Sequence, residues 1–173
     1  EQQDIFKQSL KDNGRTFTQQ FVALPGKSEH QTGLAIDLGL KKESIDFIRP
    51  DFPYIGICQQ FREKSVPYGF IERYPREKEH ITGIAHEPWH FRYVGTPHAE
   101  IMREHHFCLE EYIDFLKRFS QDQPYTFYKD SQELQIFYLK ADTESVSLEV
   151  AEDGSLSVSG NNVDGYIITE WRG

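Results

Sequence analysis

"TGIAHEPWHFRYVG", residues 82–95, decides how the rest of the chain is read. Its centre, His86-Glu87-Pro88-Trp89-His90, has the H-E-x-x-H spacing that in helical zinc proteases sets two imidazoles one turn apart with the glutamate activating water. Pro88 stands between the two histidines, where its ring would clash with the preceding turn and remove a backbone donor. It also pushes the residue before it away from helical angles. The flanks are aromatic and β-branched and bounded by glycines, as strands are. The segment therefore predicts a strand, and the helical-protease reading fails on backbone grounds.

Working outward, "YGFIERY" (68–74) predicts a second strand, and "TGLAIDLGL" (32–40) a buried one that alternates small and large apolar residues. Ile5, Phe6 and Leu10 lie at helical spacing in a helix over 2–12, which Asn13-Gly14 ends. "TFTQQFVAL" (16–24) reads as extended up to Pro25-Gly26. A short helix is expected around 43–48 and a longer one around 54–65, stopped before Pro67. Apolar residues at 102, 109, 112, 113, 116 and 119 predict one amphipathic helix over 99–119. Beyond "SQDQP" (120–124), "LQIFYL", "SVSLEV", "LSVSG" and "GYIITEW" alternate polar and apolar residues, with Asp153-Gly154 where a hairpin turn would go. The expectation is an α+β chain: a body over 1–122, with a central, mainly antiparallel sheet flanked by helices, and a C-terminal β-hairpin extension over 123–173 packed on it.

The 173 residues carry a formal charge of −9, which would repel phosphate backbones and argues against a nucleic-acid partner. No run of apolar residues is long enough to span a membrane, and no basic amphipathic stretch invites a membrane surface. Cys58 and Cys108 each lie in an apolar context and outside any C-x-x-C pair, so both are read as buried reduced thiols of a cytoplasmic protein. The chain starts at Glu1, inside the first expected helix, with no secretory signal; we expect a missing N-terminal portion.

Seven histidines sit at 30, 80, 86, 90, 98, 105 and 106. One grouping takes His90 with His30 and Asp37. Two imidazoles and a carboxylate leave a tetrahedral zinc one open position, the composition of a catalytic rather than a structural site. Glu87 could then take a proton from water and pass it to a departing amine. In an extended chain residues three apart point to opposite faces, so Pro88-Trp89 must supply a bend or bulge to bring Glu87 and His90 to one site.

"SEHQTGLAID" (28–37) and "EPWH" (87–90) resemble the S-x-H-x-x-G-x-A-x-D and E-x-W-H motifs of the D-alanyl-D-alanine metallopeptidases, a group that extends to lysostaphin-type peptidases and the hedgehog signalling domain. The likeness covers about residues 1–120 and is nearest to the VanXY-type bifunctional D,D-dipeptidase/D,D-carboxypeptidases of vancomycin resistance, which the β-rich tail also suits. The resemblance implies that His30, Asp37 and His90 bind one Zn²⁺ in the central sheet and that Glu87 is the general base. It implies that Ser28, Gln2 and Trp89 contact the substrate, D-Ala-D-Ala or a D-Ala-terminated peptidoglycan precursor. Ser28 could equally cap a turn, Trp89 could be plain core, His86 matches no ligand position, and Arg92 reads as structural. The family's tyrosine–arginine pair, whose arginine stabilises the oxyanion, should precede Gln2 and is absent here; either the chain is trimmed or another group, Arg15 or Arg62, does that work. The segment 41–69, broken by Pro50 and Pro53, is either a cover over the amine side of the substrate or a connector plus a helix. A zinc-bearing binding module and a murein endopeptidase are the rival functions. Glu87 argues against the first, and the need for export against the second.

Overall fold

The structure, a computed structural model, describes residues 2–142, 145, 148 and 155–172. The chain divides into two compact units, Glu1–Leu109 and Glu110–Gly173.

In the first unit, α1 (Gln2–Phe21) is broken at Gly14, whose φ of 81° and ψ of 173° only glycine adopts without strain. The Ser9 and Thr18 hydroxyls meet across the break at 2.9 Å, both buried. In a straight helix those residues would lie about 13–14 Å apart along the axis, so α1 doubles back on itself. The expectation of extended chain over 16–24 is corrected here. Thr18 Oγ1 donates to the Gly14 carbonyl and the Phe17 and Phe21 rings meet one turn apart at 4.9 Å, so local helical contacts override the aromatic, β-branched composition.

A 3₁₀ turn, Glu29–Thr32, leads through the left-handed Gly33 into β1 (Ala35–Asp37). After it come α2 (Gly56–Ser65), β2 (Phe70–Tyr74), α3 (Glu79–Thr82), β3 (Glu87–Tyr93) and α4 (His98–His105). The strands form one antiparallel sheet in the order β1-β3-β2. The expectation of a buried strand over 32–40 is corrected: β1 is an edge strand of three residues, and Ile36 is 45% exposed. No helix forms over 43–48. The Asp46 carboxylate accepts the N–H groups of Ile48 and Arg49, a local turn that competes with a helix, and Pro50 follows at once. The core gathers Phe52, Cys58, Trp89 and Phe91, with Phe21, Leu38, Leu40, Phe61 and Phe70 packed against them. Both cysteines are buried and outside any disulfide, as their contexts implied.

The expected helix over 99–119 is two. His106 adopts left-handed angles and ends α4, while the Phe107 N–H donates to the Met102 carbonyl in a glycine-less cap. α5 (Leu109–Leu116) begins just beyond. The gap was visible: between 102 and 109 the positions that would continue the stripe are His105 and His106.

The second unit joins α5 to a four-stranded antiparallel sheet, β4 (Tyr125–Lys129), β5 (Gln132–Lys140), β6 (Ser155–Gly160) and β7 (Gly165–Arg172), in the order β4-β5-β7-β6. β4, which the tail's reading passed over, forms a hairpin with β5 through Asp130 and Ser131, both at positive φ as a type I′ turn requires. The β6–β7 hairpin is closed by Asn161, whose Oδ1 accepts three successive backbone N–H groups, from Val163 to Gly165. The proposed Asp153-Gly154 turn and most of "SVSLEV" lie outside the described residues.

Candidate metal centre

β3 builds the site. Asp37 and His90 are direct cross-strand partners in the β1–β3 ladder, so their side chains leave the sheet on the same face. Asp37 Oδ1 lies 2.8 Å from His90 Nδ1. His30, delivered by the 3₁₀ turn, places Nε2 3.4 Å from Asp37 Oδ2, and its ring meets that of His90 edge-on at 4.9 Å. One ligand atom from each of the three residues lies within 4.8 Å of the others, a separation a single cation could bridge.

Glu87 reaches this cluster by the irregularity that Pro88 demands. Between Glu72 and Tyr74 of β2, two steps are matched by four on β3, from Phe91 to Glu87. The extra length is a bulge, and it turns Glu87 onto the face of His90, with Oε2 3.9 Å from His90 Nδ1. Arg62 of α2 holds the bulge from the other side: its guanidinium donates to the carbonyls of Phe52, Pro53 and Pro88 and to the Glu72 carboxylate. Its guanidinium is committed to these four acceptors, and neither Arg62 nor Arg15 lines the cavity described below.

Burial governs the electrostatics. It pushes the Glu87 carboxyl up to about 8, opposed by the positive charges of His90 and Arg73 and helped by the negative charges of Asp37 and Glu29. Burial works against the charged form of His90 too, but its Asp37 and Glu29 neighbours win and raise it to about 9. Burial would also raise Asp37, yet hydrogen bonds and charge from the two imidazoles bring it down to about 2. Pairing of this strength, with one carboxylate kept protonatable close by, is typical of functional sites.

The cluster opens on a cavity of about 180 Å³. Gln2, Ser28 and Trp89 line it with the three candidate ligands and Glu87. Ser28 occupies the cap position of the 3₁₀ turn, but its hydroxyl makes no capping hydrogen bond. The Gln2 amide donates to the Ala23 carbonyl. Trp89 is both wall and core, 7% exposed and facing Phe21 at 6.5 Å between centroids. Phe47 and Ile48 add an apolar side to the cavity. The segment 41–69 therefore contributes both a helix and a wall.

His86 stands apart from the three candidate ligands. Its Nε2 is 2.7 Å from the Tyr54 hydroxyl, which also bonds Glu72, and its Nδ1 is 3.2 Å from Arg76. Sequence reasoning missed Glu29, Arg73 and Tyr74. Glu29 is half-buried beside His90 and held well below the usual carboxylate range, at about 2, because its interactions with the His90 imidazole and the Arg73 and Arg92 guanidiniums outweigh the effect of burial. The Tyr74 ring lies 5.1 Å from that of His90. An acid next to a candidate ligand was the only sign of Glu29, and it reads as a solvated charge until the strands bring the arginines to it.

The chain is 54% identical over 117 residues to the bifunctional D-Ala-D-Ala dipeptidase and D-Ala-D-Ala carboxypeptidase VanXYC of Enterococcus gallinarum, an alignment that spans 67% of this chain and 62% of that one. The fold matches the crystal structure of the vancomycin resistance D,D-dipeptidase VanXYg in complex with a D-Ala-D-Ala phosphinate analogue, with a TM-score of 0.96, 55% identity, and coverage of 99% of this chain and 69% of that one. It also matches the VanY D,D-pentapeptidase of a VanB-type resistance cassette, solved in complex with Zn(II), with a TM-score of 0.52 and 36% identity over 65% of this chain and 64% of that one. The family model described as VanY, D-alanyl-D-alanine carboxypeptidase, matches residues 1–96, more than half of the sequence, and the chain belongs to that family.

Proposed function

We propose that the chain is a zinc D,D-peptidase that hydrolyses the D-Ala-D-Ala dipeptide and the terminal D-Ala of peptidoglycan precursor pentapeptides. The observation that carries this reading is the convergence of His30, Asp37 and His90 within 4.8 Å, with the Glu87 carboxyl 3.9 Å from His90 Nδ1. The donor set suits Zn²⁺: two imidazoles and one carboxylate, with no fourth ligating group from the described residues in the cluster. Zinc held by these three residues supplies Lewis acidity, which lowers the pKa of water to about 7.

The remaining chemistry belongs to the chain. Glu87, with its raised proton affinity, takes the proton from water as the oxygen attacks the scissile carbonyl carbon. It then delivers that proton to the nitrogen of the departing D-alanine as the C–N bond breaks. Ser28, Gln2 and Trp89 bind the substrate from the cavity wall. Drug-sized ligands occupy pockets of about 300–1,000 Å³, so a cavity of about 180 Å³ fits the small end of a peptide better than an extended stem. Action on a free dipeptide and on precursors suits a cytoplasmic enzyme, and among the described residues no helix is long and apolar enough to cross a membrane. Removing D-Ala-D-Ala ends would deprive a glycopeptide antibiotic of its target.

The test is D-alanine release from the dipeptide and from a pentapeptide precursor, each with and without a chelator. Release that chelation abolishes and zinc restores is expected. No release from zinc-replete protein would leave a binding module instead.

A further inference from the structure

Among the described residues, two buried side-chain polar atoms lack a hydrogen-bond partner, Glu29 Oε2 and His90 Nε2. They face each other at 3.6 Å. Resting on the metal reading above, we infer that Glu29 is a positioning residue that receives the Nε2–H of His90 and so orients that imidazole towards the metal.

The two edges of the His90 ring face different partners. Nδ1 lies on the side of Asp37 and the candidate centre, and Nε2 on the side of Glu29. When Nδ1 offers its lone pair to a cation, the ring proton must sit on Nε2, which turns a buried nitrogen into a donor that needs an acceptor. Glu29 Oε2 is the acceptor in line. A carboxylate in that place fixes the tautomer and the ring orientation and makes the ligating nitrogen more basic.

Glu29 is itself held firmly. Oε1 accepts from Arg73 Nε at 2.9 Å, and Arg92 Nη1 approaches Oε2 at 3.3 Å. Both arginines rise from the sheet that carries His90, and both are at least nine-tenths buried. With one oxygen occupied by Arg73, the carboxylate presents the other to the imidazole. A closure of a few tenths of an ångström brings the 3.6 Å separation into hydrogen-bond range.

The test compares the zinc-loaded wild type with Glu29→Gln and Glu29→Ala. Zinc affinity is read by competition with a chromophoric chelator, and the His90 ring proton by NMR of protein labelled with ¹⁵N-histidine. Glu29→Ala is expected to weaken zinc binding about 10- to 100-fold, and Glu29→Gln, which keeps an acceptor oxygen without the charge, by less. In Glu29→Gln the Nε2–H resonance is expected to move upfield as the charged acceptor is lost. If Glu29→Ala does not fold, because it removes the carboxylate that faces two buried arginines, Glu29→Gln decides alone. An Nε2–H resonance unchanged in Glu29→Gln would overturn the inference whatever the affinity does, since a carboxylate that merely braces the arginines would not be sensed there. A wild type that takes up no zinc would instead sink the metal reading on which the inference rests.

Discussion

Glu87 has to be both hidden and reactive, and its neighbours make it so. At 7% exposure it is too buried to be a solvated surface acid, and burial raises its proton affinity, so that once ionised it is a stronger base than a solvated carboxylate. Glu87→Gln should therefore hold zinc at one equivalent per chain, by metal analysis, and lose about 10²- to 10⁴-fold in kcat; turnover that survives would remove Glu87 from the mechanism. Ser28 offers a sharper choice, because its two readings predict different losses. A capping serine would cost about 1 kcal/mol of stability on change to alanine. The absent capping bond predicts instead a Ser28→Ala protein within about 0.5 kcal/mol of wild type by urea denaturation. Loss of a hydrogen bond to a charged substrate group, worth about 1.5–3 kcal/mol, should raise its KM roughly 10- to 100-fold. At this scale the sequence was informative where residue type is itself the chemistry. His30, Asp37, Glu87 and His90 can be picked out because few other side chains hold a metal or carry a proton. Glu29 could not, since its environment comes from Arg73 and Arg92, some 40 and 60 residues further along the chain.

The strand that carries the site is stable only because another element grips its irregular end. Pro88 supplies no N–H, and the bulge leaves its carbonyl outside the regular ladder, where Arg62 meets it at 2.7 Å. The same guanidinium binds the Phe52 and Pro53 carbonyls and the Glu72 carboxylate, and its side chain is 9% exposed. Four partners at fixed angles need a planar fork, which an ammonium cannot reproduce. Arg62→Lys should therefore lose about 2–4 kcal/mol, as breaking a buried network does, read as a lower urea midpoint; a variant within 0.5 kcal/mol of wild type would show that the bulge holds its own shape. The same dependence on distant partners explains which elements could be read. β2 and β3 were legible because their aromatic, β-branched runs are bounded by glycine and proline. The first helix was misjudged past Gly14, because a break that folds back and a break that ends a helix look alike until Ser9 meets Thr18. The helix expected over 43–48 lost to the carboxylate of Asp46, a competition that average propensity does not record.

Over the whole chain, charge and metal should act on stability in separable ways. His98 begins α4, and burial holds its imidazole down at about 4. A lowered histidine pKa gives stability that is present above the unfolded value near 6.5 and is lost as pH falls towards 4, because the unfolded chain takes up the proton more readily. The wild type should thus lose stability relative to His98→Gln across that window, and taking the difference between the two cancels the other titrations; parallel denaturation curves from pH 7 to 4 would show that His98 contributes nothing. The metal should leave a different trace. A cation that binds the folded chain and not the unfolded one stabilises by about 4.1 kcal/mol when free metal is 1,000 times its Kd. All three candidate ligands lie in the Glu1–Leu109 unit, on β1, β3 and the turn before β1. Chelation should therefore lower the Tm and speed amide exchange in β1 and β3, while amides of the β4-β5-β7-β6 sheet keep their local protection. The two units could be separated in the sequence only as a change of pattern after residue 120, since alternation marks strands but not the boundary at which α5 joins them. Hydrogen exchange followed by mass spectrometry, with and without chelator, measures both parts of this expectation. Equal acceleration in both sheets would mean that the metal stabilises the chain globally, and no acceleration in β3 would mean that His90 does not bind it.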